Sequence, residues 1–304
     1  MAPIATTKKL FLITGANSGL GFECSLALAK QGNAHVILAG RSQPRIDEAV
    51  EKVKASAAPS STVEGAVVDL ASLHDVRQFA RGLIQRDLQF FTIVCNAGVN
   101  LLNLTSTKDG FEAMVGVNHT AHFLLLRYLK DRTQRVVLLS SEMHDPNDAK
   151  SVQPIDMSNI DGLAKGLEPF NSMQVYATSK LCNLLYTKEF ARRFPHGPEI
   201  LAYTPGLVPD TALFRDFNFV LKIIFKYVAT FLNWWSGGRN STPEYSGGFM
   251  ARIASADSWG ADGWKSGDYI RVDEVWEASV QACDEALGNE IWEKTDAWVT
   301  SFAN

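Results

Sequence analysis

The sequence predicts an α/β fold: one doubly wound parallel sheet of about seven strands, helices on both faces, and a helical lid over a substrate cleft. Three observations carry this expectation. Short apolar runs alternate along the chain with stretches whose apolar residues recur at helical spacing. A glycine-rich turn, Thr14-Gly15-Ala16-Asn17-Ser18-Gly19-Leu20-Gly21, joins the first apolar run to the first helical stretch. No composition break, internal repeat or linker rich in Pro, Gly or Ser divides the 304 residues, so 1–304 read as a single domain.

Residues 10–14 form a short apolar run that ends in Gly15, as a buried parallel strand does. Residues 20–30 carry apolar positions at helical spacing, and Gly32 closes them. A second strand is expected at 35–39, then a helix at 44–57 with Pro44 near its first turn. Residues 63–68 read as a third strand, and Ser72 is placed to cap a helix running through Arg86. Residues 93–95 give a fourth strand, 111–130 a long helix, 136–139 a fifth strand and 175–193 another helix. A sixth strand at 200–203 runs into Pro205-Gly206. Thr242-Pro243 opens a helix towards Ala254, 269–272 gives a seventh strand, and 284–299 a last amphipathic helix. Two stretches, 142–174 and 207–241, break this rhythm. Loops of such length inside a compact domain are usually functional. Both follow strands, which sets them at the carboxyl edge of the sheet, where ligands bind in open α/β folds.

Composition narrows the function. The chain is 46% hydrophobic and 20% charged, which leaves ample apolar surface to offset ordering entropy. With 29 basic against 33 acidic residues and a net charge of −4, it lacks the basic footprint of a nucleic-acid binder. The four cysteines, Cys24, Cys95, Cys182 and Cys283, form no CxxC pair and read as reduced thiols of a cytoplasmic protein. The amino terminus lacks the long apolar stretch of a signal peptide. The segment 217–235, FNFVLKIIFKYVATFLNWW, is very apolar, but Lys222 and Lys226 interrupt it, so no transmembrane span is expected. A substrate lid, a contact between two copies in a homodimer and a peripheral membrane patch stay open for it.

Glycines between a strand and a helix let the backbone turn sharply and approach a pyrophosphate, to which the helix offers free N–H groups. Gly15, Asn17, Ser18, Gly19, Leu20 and Gly21 are therefore candidate cofactor contacts, although the spacing is GxxxGxG rather than GxGxxG. The end of the second strand selects between cofactors. An acid there would bond the ribose 2′-OH of NAD, whereas a basic residue pairs with the 2′-phosphate of NADP. The sequence has Gly40-Arg41-Ser42 and no acid, which favours NADP, with Ser42 adding a hydroxyl. Asp69, followed by Leu70, stands after the third strand, either to bind the adenine amino group or simply to cap a helix. Asn96-Ala97-Gly98 follows the fourth strand and places small residues beside the cofactor.

Tyr176 and Lys180 stand four apart on one helical face, so phenol and ammonium can share a site. A nearby positive charge is expected to lower the phenol's pKa and fit Tyr176 to exchange a proton with a substrate oxygen while hydride moves. Ser141, at the carboxyl end of the fifth strand, is placed to hold that oxygen. Asn118 sits mid-helix, where asparagine is a poor choice unless it has a buried polar task. Glu142 and His144, just past Ser141, are candidates for touching polar groups of the substrate.

These pieces, in this order, resemble the short-chain dehydrogenase/reductase family: TGANSGLG, Asp69-Leu70, Asn96-Ala97-Gly98, Asn118, Ser141, YATSK and Pro205-Gly206. The resemblance covers residues 10–211. It implies a Rossmann fold and a catalytic tetrad of Asn118, Ser141, Tyr176 and Lys180, in which Lys180 also grips the nicotinamide ribose and Asn118 holds a water of a proton relay. Pro205, Gly206, Val208 and Thr211 match positions that line the nicotinamide. VVDLASLHDVRQF, DGFEAMVGVNHTAHFLLL and SKLCNLLYTKEFARRF, with the long Ser141–Tyr176 spacing, resemble the branch of retinol dehydrogenases, WW-domain oxidoreductase and light-dependent protochlorophyllide reductase. Segments 142–174 and 213–235 match none of the three.

The expected activity is NADP(H)-dependent hydride transfer to or from a carbonyl or alcohol of a bulky hydrophobic substrate. Phe214, Phe217, Phe219, Phe225, Phe231, Trp234 and Trp235 would form the greasy lid. A lipophilic secondary metabolite reduced at a ketone fits these features. Two alternatives remain: reduction of a carbon–carbon double bond, as in protochlorophyllide reductase, and a non-catalytic NADP-binding sensor or scaffold.

Overall fold

A computed structural model describes residues 8–147, 155–206, 208 and 241–303. The strands are β1 (Lys9–Thr14), β2 (Ala34–Gly40), β3 (Thr62–Val67), β4 (Phe90–Cys95), β5 (Thr133–Leu139), β6 (Glu199–Thr204), β7 (Tyr269–Arg271) and β8 (Glu274–Trp276). They form one sheet in the order β3-β2-β1-β4-β5-β6-β7-β8. Every pairing is parallel except β7 with β8. The expectation of a parallel α/β sheet of about seven strands holds, with eight strands present among the described residues. The missed strand, β8, is a three-residue exposed edge strand that folds back on β7, too short to form a pattern.

The helices are α1 (Gly19–Gln31), α2 (Gln43–Ser56), α3 (Leu73–Gln85), α4 (Ala121–Leu129), α5 (Ile160–Lys165), α6 (Ser172–Arg193), α7 (Pro243–Ser255) and α8 (Glu285–Ala303). Local chemistry sets their ends. The Ser72 hydroxyl accepts the Asp75 amide at 3.3 Å, and the Thr242 hydroxyl accepts that of Tyr245 at 3.2 Å, each satisfying a donor with no partner inside its helix. Gly32, at φ 87°, lets α1 stop where an L-residue would be strained. α4 continues without interruption from a turn Ala113–Val115 and a π-helical turn Gly116–Thr120.

The alternation of β1 splits the core. Phe11 and Ile13 face α1, α2 and α7, while Leu10 and Leu12 face α3, α4, α6 and α8. α7 lies so close to α1 that a Cβ at Gly247 would stand 2.4 Å from Glu23 Cβ and 3.0 Å from the Leu20 carbonyl. Gly247→Leu should therefore destabilise the protein by about 2 kcal/mol, measured by urea denaturation, since overpacking a tight contact forces backbone shifts. An unchanged midpoint would show that the two helices separate freely.

From β1 the chain builds outward to β3, then crosses back to lay β4 on the other side of β1. The chain leaves β1 for α1 on one face of the sheet and leaves β4 for α4 on the other, which opens the crevice that positions the site. The four cysteines are free thiols, three of them buried. Among the described residues no helix is long and apolar enough to cross a membrane. Segment 217–235, with the aromatic lid expected there, lies outside the described residues, as does Thr211.

Candidate active site

At the end of β1, Thr14 and the glycine turn close on the segment after β4. Asn96 Nδ2 donates to the Thr14 carbonyl at 2.8 Å and to the Gly15 carbonyl at 3.4 Å. The Asn96 and Ala97 amides both donate to Thr14 Oγ1 at 3.0 Å. This closure explains two glycines. Gly15 has φ +66°, and a Cβ on it would meet Ala97 Cα at 2.9 Å, while a Cβ on Gly21 would meet Asn96 Nδ2 at 2.4 Å. Ser18 occupies the N-cap of α1 but makes no side-chain cap, and no acid stands in the first turn. Asn17 Oδ1 reaches the end of β2, 3.1 Å from where a Cβ on Gly40 would stand. Leu20 is buried beneath the turn.

Arg41 follows β2 directly and is exposed, with no side-chain hydrogen bond or ion pair among the described residues. Ser42 beside it is the N-cap of α2, and its hydroxyl likewise makes no cap bond. Asp69 is committed to the protein at both oxygens, with Oδ1 accepting the Ala71 amide at 3.1 Å and Oδ2 pairing with Lys108 Nζ at 3.0 Å. Burial opposes its charge, but Lys108, the Ala71 amide and Arg41 outweigh that and hold the carboxyl below the ordinary value. Leu70 is buried.

The π-helical turn carries Asn118 into the crevice. Its Oδ1 accepts the Val99 amide at 2.8 Å, and its Nδ2 donates to the Val99 carbonyl and to Ser179 Oγ, each at 3.0 Å. Asn118 therefore has the buried polar task expected of it, with no surface exposed. It fastens the segment after β4 to α6, and it does so at Gly98, where a Cβ would lie 3.2 Å from Asn118 Oδ1 and 3.6 Å from Lys180 Nζ.

α6 then supplies the candidate acid–base pair. Lys180 Nζ donates to the Leu139 carbonyl at 3.2 Å and stands 5.5 Å from the centre of the Tyr176 ring. Ser141, just past β5, hydrogen-bonds the Tyr176 phenol. Ser140 next to it points the other way, its hydroxyl donating to the Lys180 carbonyl at 2.9 Å. Asn118, Ser141, Tyr176 and Lys180 are thus brought together from three elements. The expected electrostatics need correction. Burial pushes the Tyr176 phenol above its ordinary value, with the Ser141 bond only partly opposing it. Burial also pushes Lys180 down to about 8. Desolvation dominates here, and the lysine's charge does not lower the phenol below its usual range.

Beyond β6, Gly206 takes φ 73° after Pro205, whose carbonyl accepts Ser246 Oγ at 3.1 Å, and Val208 is buried. Glu142 and His144, the candidates for touching polar groups of the substrate, are both engaged by protein groups and are not solvated. Glu142 pairs with Arg271 Nε at 2.9 Å. His144 is buried, with Nδ1 on the Ser141 carbonyl at 2.7 Å, Nε2 accepting the Ser279 amide at 3.2 Å, and its ring edge-on to Tyr269. It braces the Ser141 turn from behind.

The sequence reading passed over a second layer. His119 and His122 flank the Asn118 turn, both 1% exposed. His119 Nδ1 meets Asn183 Oδ1 at 3.1 Å, and its Nε2 meets Thr295 Oγ1 of α8 at 3.1 Å. Asn183 Nδ2 donates to the Asn118 and Leu139 carbonyls at 3.1 and 2.9 Å. The available signal was the string Asn118-His119-Thr120-Ala121-His122, polar side chains within an otherwise apolar helix.

The short chain dehydrogenase family model matches residues 9–144. The WW domain-containing oxidoreductase of Danio rerio is 36% identical over 240 residues, which cover 77% of this chain and 57% of that protein. The chain therefore spans little more than half of this relative's length. Protochlorophyllide reductase B of Hordeum vulgare is 31% identical over 317 residues, covering 95% of this chain and 78% of that protein. Among solved structures, the NADPH-dependent 3-quinuclidinone reductase of Rhodotorula rubra superposes with a TM-score of 0.62 at 18% identity, over 90% of this chain and 97% of that one. A short-chain type dehydrogenase/reductase from Mycobacterium marinum gives 0.62 at 21% identity, over 87% and 94%. With a sheet that reverses beside its glycine turn and relatives matched across nearly the whole chain, the protein belongs to the short-chain dehydrogenase family.

Proposed function

We propose that the chain is an NADP(H)-dependent oxidoreductase that reduces a carbonyl, or oxidises the corresponding alcohol, of a bulky hydrophobic substrate. The observation that carries this reading is the meeting of Ser141, Tyr176 and Lys180 beside the crevice at Gly98. The residues present fit a dinucleotide. The turn is open at Gly19, where φ is +57° and a Cβ would meet no atom within 4 Å, and the start of α1 carries neither a side-chain cap nor an acid to compete for its N–H groups. Bound NADPH supplies the hydride. Ser141 then steadies the substrate oxygen, Tyr176 gives that oxygen its proton, and Lys180 holds the ribose side of the crevice and favours the phenolate left behind. A phenol raised by burial stays protonated at neutral pH, which suits a proton donor.

Arg41, exposed at the end of β2 with a small neighbour on either side, is assigned to the 2′-phosphate. Arg41→Ala should weaken NADPH by about 10–100-fold while leaving NADH within about threefold, because a lost charge-assisted bond costs about 1.5–3 kcal/mol. Fluorescence titration of both nucleotides measures this, and equal losses would remove Arg41 from the phosphate. The function itself is tested by NADPH oxidation in the presence of lipophilic ketones and aldehydes. Ketone-dependent turnover supports it. Tight NADPH binding without turnover on any carbonyl would favour reduction of a carbon–carbon double bond, a reading that rests on the likeness to protochlorophyllide reductases. The apolar segment 217–235 supports a bulky apolar substrate.

A further inference from the structure

We propose that His122 is a positioning residue: a neutral imidazole, protonated at Nδ1, that sets the spacing between the cofactor loop and Asn118. The role in catalysis rests on the oxidoreductase reading above.

The argument begins at Thr14. Its hydroxyl already accepts two backbone amides, those of Asn96 and Ala97, each at 3.0 Å. A hydroxyl has two lone pairs and one hydrogen, so this one has only its hydrogen left to give. The nearest acceptor is His122 Nε2 at 3.0 Å, and the Val94 carbonyl stands farther off at 3.4 Å. Nε2 must then be the unprotonated nitrogen. On the other side of the ring, Nδ1 lies 3.2 Å from the Asn118 carbonyl, which can only accept. Nδ1 must carry the hydrogen. One tautomer satisfies every atom, and a charged ring would push an N–H against a hydroxyl whose lone pairs are full.

The surroundings agree. His122 is 1% exposed, and burial first, with the positive charge of Lys180 on α6 and the neighbouring His119 behind it, outweighs the Asn118 carbonyl and holds the ring down to about 4. It stays neutral across the physiological range. The relay therefore has a direction: the amides after β4 donate to Thr14, Thr14 to His122, and His122 to the carbonyl of Asn118. One end is the closure on which the glycine turn rests. The other is the turn whose side chain holds Val99 and Ser179. Among the described residues His122 is the one ring that spans both, and its two nitrogens act on different ends.

That separation supplies the test. His122→Asn keeps a donor near the place of Nδ1 and loses Thr14. His122→Gln keeps an acceptor near the place of Nε2 and loses Asn118. The Asn variant should weaken NADPH about tenfold with kcat within about threefold of wild type, and the Gln variant should lower kcat about tenfold with NADPH affinity within about threefold. Parallel losses in both variants, or no loss in either, would reduce His122 to packing and overturn the proposal. A measurement on the unmutated protein stands apart from folding defects and from activity. The ring ¹⁵N shifts of His122, without cofactor, should show a protonated Nδ1 and a bare Nε2 unchanged from about pH 5 to pH 8. An Nε2–H tautomer, or titration within that range, would overturn the relay. Failure of wild type to bind NADPH would instead overturn the oxidoreductase reading and the catalytic role with it, while the shifts still decide the tautomer.

Discussion

Tyr176→Phe should lower kcat by about 10²–10⁴-fold, the usual contribution of a positioned acid–base group, while leaving NADPH affinity within about threefold. The substitution removes one oxygen from a ring that is 6% exposed and keeps the ring's packing. Among the described residues Ser141 is the side-chain partner of that oxygen, so the loss falls on the reacting end of the site rather than on the glycine turn. Steady-state turnover on the best carbonyl, beside a nucleotide titration and a melting curve, separates the effects. Retained turnover would place the proton with another group. A fall in melting temperature that matches the lost activity would make Tyr176 a packing residue.

Lys180→Met should lower kcat by about 10²-fold, the lower end of the acid–base range, and also change how both activity and stability depend on pH. Burial holds Lys180 at about 8, well below the 10.5 of an exposed lysine. Its charge is present below about pH 8 and lost above. Reduction by wild type should fall as pH rises through that value, whereas the variant should show no such limb. Stability moves the other way. Between about pH 8 and 10.5 the unfolded chain binds a proton that the folded chain has released, so wild type gains stability relative to the variant as pH rises, by about 3 kcal/mol at most. Melting curves of both proteins from pH 7 to pH 10 check the sign. A difference that stays flat would show that Lys180 titrates normally in the fold.

Much of this was legible in the chain. The glycine turn, Asn96-Ala97-Gly98 and the pair Tyr176–Lys180 announce themselves because their jobs demand particular residue types at fixed spacing, and the alternating pattern gives the parallel sheet. Other features leave weaker marks. β4 begins at Phe90, earlier than the apolar run suggests, because Thr92 is a buried polar residue satisfied by the Ala254 carbonyl at 2.6 Å. The long helix was foreseen, but not its π-helical turn, which apolar spacing does not encode. His119 and His122 were passed over because a histidine on an apolar face is ordinary core until its partners are known. The sign of the Tyr176 shift was missed for a related reason: spacing shows that a charge is near, but only the fold shows how dry the site is.

The bond from Thr295 to His119 has a consequence for how the protein dies on heating. It links the last helix to the turn that carries Asn118, and His122 links that same turn to the end of the first strand. The Asn118 turn is therefore tied both to β1 and to α8, which lie far apart in the sequence. Amide exchange in this turn should proceed only through global opening. Loss of activity and loss of structure should then follow one curve, with no folded, silent species between them.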